Sequence, residues 1–157
     1  PETISDYEKL FVLHYLGGMV NAFNTRTAND EAIATSMGSS LVEYTTFQSL
    51  PSGMFYYGPF RKRSIDRLLP IFGNEPELLE TAARSIGGTE AEYGEVGFRF
   101  AVLPHISVVI SLYVGDDEFP PELKLLFPRL IASILSLEDV AVLGGLIASK
   151  LLRAAKN

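Results

Sequence analysis

The chain has 157 residues and a formal net charge of −6, which argues against binding to nucleic acid through a phosphate-neutralising surface. It contains no cysteine, which excludes disulfides, thiolate catalysis and any iron–sulfur cluster held by its own thiolates. Hydrophobic residues make up 47% of the chain, and this fraction predicts one folded domain over residues 1–157.

The sequence begins with the polar residues Pro1-Glu2-Thr3, without the basic and then apolar leader of a secreted protein. We therefore expect a cytoplasmic protein. A start at Pro1 is expected either after removal of the initiator methionine or where N-terminal residues of the full-length protein are missing, and the second alternative is favoured. The apolar run 130–152 contains Glu138 and Asp139, so we expect a buried helix there and no interaction with a membrane.

The first third of the chain predicts a helix, a loop and a strand. The capping box Ser5-Asp6-Tyr7-Glu8 predicts a helix that begins at about Asp6, with His14 on its apolar face. For His14, packing in the core is favoured over a functional role. Residues 21–40 are rich in Asn, Thr, Ala and Ser and predict a flexible loop, whereas residues 41–50 alternate as a strand does.

The densest aromatic run, residues 54–60, is followed directly by three cations at 61–63. Such residues could stack a planar ligand and hold its carboxylates or phosphates, because arginine offers a planar fork of donors. The favoured alternative is a strand end whose aromatic residues fill the core, followed by a helix with solvated basic residues. The candidate ligand-binding residues are Tyr56, Tyr57, Arg61, Arg63 and His105.

The middle of the chain predicts two helices and a pair of strands. Residues 64–72 form an amphipathic pattern that tolerates Pro70, and Asn74 is the predicted N-cap of a helix closed by Gly87-Gly88. Residues 96–103 and 106–114 alternate apolar and small or polar side chains, which predicts an antiparallel pair with one face against helices.

The C-terminal third predicts helices. Residues 121–127 are interpreted as a short helix, and Ser136-Leu137-Glu138-Asp139 as the capping-box start of a helix through Arg153. Small residues at 141, 144 and 148 on that helix would let another backbone approach closely, which suggests a homodimer. The predicted fold class is α+β, a small, mainly antiparallel sheet packed against helices in a single domain.

Three consecutive carboxylates, Asp116, Asp117 and Glu118, lie between Gly115 and Pro120-Pro121. They could bind a hard cation such as Mg²⁺ or Ca²⁺, if the turn makes them converge. The favoured alternative is that they cap the helix predicted to follow. A catalytic pair of His105 and Asp116 is not expected, because a straight strand at about 3.3 Å per residue would separate them by some 30 Å.

Several segments resemble the uncharacterised family DUF3786: Leu13-His14-Tyr15-Leu16, Phe47-Gln48-Ser49-Leu50-Pro51-Ser52-Gly53, Gly115-Asp116-Asp117-Glu118-Phe119-Pro120-Pro121 with Leu126-Phe127, and Ser136-Leu137-Glu138-Asp139. The resemblance spans residues 7–153, and the acidic turn is its most specific part. It implies a setting in anaerobic bacteria and archaea, often beside a cysteine-rich segment of iron–sulfur type. No catalytic residues are established for the family, so the resemblance assigns none.

Three functions follow as hypotheses. The first is a binding or accessory module that recognises a small-molecule cofactor or a corrinoid or iron–sulfur partner protein. The second is a small enzyme that uses the carboxylates at 116–118 with a divalent cation. The third is a structural domain that dimerises through the small residues of the last helix.

Overall fold

The computed structural model describes residues 42–103 and 106–157, and five residues nearer the N-terminus: Asp6, Lys9, Leu10, Leu13 and His14. These five have helical backbone, in keeping with the helix predicted to begin at about Asp6. The predicted loop at 21–40 and His105 lie outside the described residues.

The described residues form an open antiparallel sheet of five strands, and its spatial order is β1-β5-β4-β3-β2. The strands are β1 (Tyr44–Thr46), β2 (Thr89–Glu90), β3 (Val96–Leu103), β4 (Ile106–Tyr113) and β5 (Glu122–Pro128). The predicted antiparallel pair is confirmed as β3 and β4, with Val96 opposite Leu112 and Phe100 opposite Val108.

Four α-helices are present in the same part of the chain: α1 (Gly53–Arg63), α2 (Ile65–Phe72), α3 (Pro76–Ser85) and α4 (Leu137–Ala155). Short 3-10 helices precede α1 (Phe47–Ser49) and follow β5 (Arg129–Ser133). The predicted α+β class is therefore confirmed. None of the described helices is both long enough and apolar enough to cross a bilayer.

The core lies between one face of the sheet and the helices. Alternate residues of the three long strands point into it, including Phe98, Ile110 and Leu125, which are almost completely buried. Burial of each such side chain contributes about 1.5–3 kcal/mol of hydrophobic stabilisation. The alternation that predicted β3 and β4 is thus the pattern that builds the core.

The last helix begins as predicted. The Ser136 hydroxyl accepts a hydrogen bond from the amide of Asp139 at 3.2 Å, and the Asp139 carboxylate accepts one from the amide of Ser136 at 3.3 Å. These two bonds satisfy amide groups that the first turn of a helix leaves free. The small residue Gly144 of this helix faces α1, because a Cβ atom there would lie 2.6 Å from a ring carbon of Phe60.

Two predicted elements are wrong. Residues 121–127, interpreted as a helix, form β5, because β1 and β4 flank this segment and both pair with it. The aromatic run at 54–60, whose alternative interpretation was a strand end filling the core, belongs to helix α1. In α1 only Gly53 and Phe60 are buried, seven residues and therefore about two turns apart, so the helix touches the core along one line.

Three smaller predictions are also corrected. The strand predicted at 41–50 is confined to β1, because the chain turns into the 3-10 helix at Phe47. The N-cap position of α3 is Glu75 and not Asn74, whose side-chain oxygen lies close to Gly115. His14 is about half exposed and not a core histidine, because Asp139 at the start of α4 holds its Nδ1 at 2.8 Å.

Candidate functional site

A cavity of about 530 Å³ opens between the 3-10 helix Phe47–Ser49, helices α1 and α2, and the start of β5. One part of its lining is apolar and consists of Phe47, Met54, Phe60, Ile65, Leu69, Pro121, Leu123 and Leu125. The other part carries polar or charged groups and consists of Thr46, Gln48, Ser49, Tyr57, Arg61, Glu122 and Lys124. The cavity thus combines an apolar wall with hydrogen-bonding groups.

A tight turn brings the 3-10 helix against α1. The amide of Leu50 donates to the carbonyl of Phe47 at 3.2 Å, and the amide of Gly53 donates to the carbonyl of Leu50 at 2.8 Å. Ser52 has a φ of 61°, in the left-handed region. Gly53 is needed here, since a Cβ atom would lie 1.9 Å from the carbonyl oxygen of Phe47. The turn therefore places Gln48 beside the first turns of α1.

Three phenylalanines fix one wall of the cavity. The rings of Phe47 and Phe60 stack at a centroid distance of 4.1 Å with an interplanar angle of 2°. The ring of Phe127 meets both in edge-on geometry, at 6.4 Å and 5.9 Å. Aromatic pairs of this kind add about 0.5–1.5 kcal/mol beyond the area that they bury. The position of α1 is therefore tied to the sheet through Phe60.

Arg61 is the cation at the edge of the cavity. Its Nε donates a hydrogen bond to Asp66 at 2.8 Å, and this bond, with the attraction of Asp66 and of Tyr57, raises the pKa of Arg61. Its two terminal amino groups have no hydrogen-bond partner among the described residues. Asp66 thus orients the guanidinium and leaves its outer edge available to a ligand.

The second cation of the lining is partly neutralised. Lys124 on β5 forms an ion pair with Glu122 at 3.2 Å, and the two side chains are 41% and 57% exposed. An exposed pair of this kind contributes little to stability. Both cations of the lining are therefore paired with a carboxylate. Arg61 is better suited to an anionic group, because its guanidinium offers a planar edge of two amino groups besides the Nε that Asp66 binds.

The structure separates the predicted ligand-binding residues. Tyr57 and Arg61, one turn apart on α1, both line the cavity. Tyr56 and Arg63 do not line it. Arg63 instead lies beside α4, where its Cβ would be 4.0 Å from a Cβ atom on Gly145.

The cavity also includes residues that the sequence did not single out, namely Gln48, Ser49, Glu122 and Lys124. A signal for part of this set was present, because two of the segments that carry the family resemblance, residues 47–53 and 115–121, both contribute to the lining. These two segments are distant in sequence, and residues of both line the same cavity.

The acidic turn is held by its first carboxylate. Oδ1 of Asp116 accepts hydrogen bonds from the amides of Glu118 at 2.8 Å and Phe119 at 2.7 Å, and these bonds lower the pKa of Asp116. The expected capping of a following helix is wrong, because β5 follows the turn. In residues 42–103 and 106–157 no group of three or more His, Asp or Glu side chains is placed to hold a metal ion. The Mg²⁺ or Ca²⁺ site at residues 116–118 stays a prediction.

The fold and the cavity define a small α+β protein with an open antiparallel sheet and a ligand-sized opening beside helix α1. The family described as "Domain of unknown function (DUF3786)" matches residues 32–150, which is more than half of the chain. The chain therefore belongs to this family. Neither the curated proteins nor the solved structures provided a match.

Proposed function

We propose that this protein is a binding module for a small, largely planar and apolar molecule that carries one anionic group. The observation that supports this most strongly is that Tyr57 and Arg61, predicted from the sequence as ligand-binding residues, converge with Gln48 and Ser49 on one cavity. A single cavity then supplies an aromatic ring, a planar cation and uncharged hydrogen-bonding groups.

The size and the lining of the cavity support this class of ligand. Its volume of about 530 Å³ lies within the range of about 300–1,000 Å³ that is typical of small-molecule sites. The apolar wall favours a hydrophobic body, because burial of apolar area drives binding. The outer edge of the Arg61 guanidinium matches a carboxylate, a sulfonate or a phosphate.

A cofactor that serves a corrinoid or iron–sulfur partner protein is the finer prediction, and the family resemblance is its support. The cavity supports the broader class, a planar anion with an apolar body. The metal-dependent enzyme at residues 116–118 has no comparable support from the geometry, since Asp116 is engaged within its own turn. Binding of a small molecule is therefore the function that the geometry supports best.

Two related dyes test the proposal. Anilinonaphthalene sulfonate is a planar aromatic molecule with one anionic group, and phenylnaphthylamine is the same skeleton without that group. We expect both to bind with a stoichiometry of one per chain, measured by fluorescence titration. Arg61→Gln should weaken binding of the sulfonate about tenfold, as expected for loss of a charge-assisted hydrogen bond at a half-exposed side chain, and leave the uncharged dye unaffected.

The control variants use neighbouring residues of the same helix. Lys62→Gln removes a cation that does not line the cavity and should change neither affinity. Tyr57→Leu removes the ring and should weaken both dyes. The proposal is refuted if neither dye binds at a saturable site, or if Lys62→Gln and Arg61→Gln have the same effect.

A further inference from the structure

Helix α1 carries an exposed surface outside its line of core contact. Phe55 is 86% exposed and Tyr56 is 56% exposed. Lys62 follows Phe55 by seven residues, about two turns, and Arg63 follows Tyr56 by the same interval. Each cation therefore lies on the same line of the helix as one ring, and the two lines are adjacent, about 100° apart. We call these four residues the helix patch.

The helix patch combines exposed rings with cations that lack a partner. In the part of the chain that the structure describes, neither Lys62 nor Arg63 forms an ion pair through its side chain. Adjacent exposed aromatic residues on a helix mark a surface for interaction with another macromolecule. The cations predict that the partner surface is acidic, although the chain itself has a net charge of −6.

The complementary surface is present on the same chain. Asp117, Glu118 and Phe119 are exposed, with Phe119 at 67%, and they form what we call the acidic patch. The hydrogen bonds of Asp116 fix the backbone of this turn, so the three side chains are presented on an ordered loop. The acidic patch is therefore complementary to the helix patch in charge and in apolar character. Its carboxylates can pair with Lys62 and Arg63, and the ring of Phe119 can pack on the exposed aromatic rings.

The positions of the two patches favour a dimer of two copies related by a two-fold axis. Met54, next to the helix patch, and Pro121, just after the acidic patch, both line the cavity. Both patches are thus next in sequence to residues that line the cavity. In a two-fold dimer the acidic patch of each copy can then contact the helix patch of the other, and both contacts form at once.

From this complementarity we infer that the occupant of the helix patch is the acidic patch of a second copy of this chain. The inference goes beyond the proposed function, because it concerns a different surface. It also differs from the dimer predicted through the small residues of α4, where Gly144 is already in contact with Phe60 of its own chain. The like net charges of two copies oppose association, so we expect a weak, reversible dimer.

Charge reversal provides the test, with sedimentation velocity over a series of protein concentrations at low ionic strength. Wild-type protein should dimerise reversibly. The double variant Lys62→Glu/Arg63→Glu should associate about tenfold or more weakly, because a two-fold dimer contains each exposed ion pair twice. Asp117→Lys/Glu118→Lys should weaken association similarly, and it leaves Asp116 in place to hold the turn.

The decisive sample is an equal mixture of the two double variants. Each alone places like charges in contact, whereas their heterodimer restores opposite charges at both contacts. We expect the mixture to associate about as strongly as wild-type protein, with a heterodimer mass by native mass spectrometry. The matched control Arg153→Glu/Lys156→Glu makes the same charge change at the end of α4 and should not weaken the wild-type dimer.

A second variant distinguishes this inference from the proposed function. Phe55→Ser should weaken dimerisation and leave binding of both dyes unchanged, since Phe55 does not line the cavity. The inference is overturned if wild-type protein stays monomeric at the highest soluble concentration. It is also overturned if the mixture fails to restore association, or if the α4 control weakens it as much as the patch variants do.

Discussion

Two adjacent glycines of α4 give opposite predictions for the same substitution. A Cβ atom at Gly144 would lie 2.6 Å from Cε2 of Phe60, whereas one at Gly145 would be 3.7 Å from the nearest atom, the carbonyl oxygen of Arg63. The first distance is a steric clash and the second is ordinary contact. Phe60 cannot easily move away, because it is 1% exposed and stacked against Phe47.

Both alanine variants gain the same helix propensity, about 1 kcal/mol relative to glycine. Gly145→Ala should therefore raise the free energy of unfolding by up to about that amount. Gly144→Ala adds a clash, and extra atoms in a packed core typically cost about 1–3 kcal/mol. The difference between the two variants, about 1–3 kcal/mol in favour of Gly145→Ala, isolates the cost of the clash.

Urea unfolding followed by circular dichroism measures this difference as a shift of the midpoint at constant slope. In a Phe60→Leu background the ring is absent, so Gly144→Ala should lose most of its cost relative to Gly145→Ala. If the two alanine variants are equally stable in the wild-type background, α4 does not pack on Phe60 as described. The cavity wall that contains Phe60 would then differ from the one described above.

Three further predictions test the site and its supports. Ser136→Ala should lower the free energy of unfolding by about 1 kcal/mol through loss of the capping box, whereas Ser133→Ala should not, as chemical denaturation will show. Gly53→Ala should destabilise the chain and abolish dye binding, because its Cβ would collide with the 3-10 helix, whereas Gly58→Ala meets no atom within 4 Å and should be tolerated. Asp116→Asn should destabilise the protein at neutral pH, and thermal melts should show this effect disappear in acid. Hydrogen bonds lower the Asp116 pKa, so the stability that they provide is complete above about pH 4 and is lost as the pH falls through the folded-state pKa.

The elements that the sequence predicted correctly are those whose signal is local. The alternation of apolar residues along Val96–Leu103 and Ile106–Tyr113 identified β3 and β4, and Ser136 with Asp139 identified the start of α4. In each case the residues that carry the pattern are also the residues that make the contact. Local pattern and tertiary structure therefore agree.

The elements that the sequence did not predict correctly are those whose structure is decided by contacts with distant parts of the chain. Leu123, Leu125 and Phe127 alternate inwards, but the segment is short and follows two prolines, and it becomes a strand because β1 and β4 provide partners on both sides. The aromatic residues of α1 favour a strand by propensity, yet the turn at Ser52 and Gly53 starts a helix. Strand propensity depends strongly on context, and here tertiary contacts decide.

The lining of the candidate cavity could be predicted only in part, because it combines residues close in sequence with residues from distant elements. Tyr57 and Arg61 were found from their chemistry, since aromatic and cationic residues adjoin in the sequence. Tyr56 and Arg63 were grouped with them, but successive residues of a helix differ by about 100° in direction, so the four cannot share one cavity. Gln48 and Lys124 came from other elements, and nothing in their own surroundings indicated that they would meet.

Nuclear magnetic resonance gives the most direct test of the central claim that the cavity binds a planar anion. Nitrogen-labelled protein would be titrated with anilinonaphthalene sulfonate, and the amide shifts would be mapped onto the chain. We predict that the largest shifts occur at Gln48, Tyr57, Arg61 and Lys124, with a common dissociation constant. Shifts centred on Phe55 and absent from Gln48 and Lys124 would place the dye on the outer surface of α1 and contradict the claim.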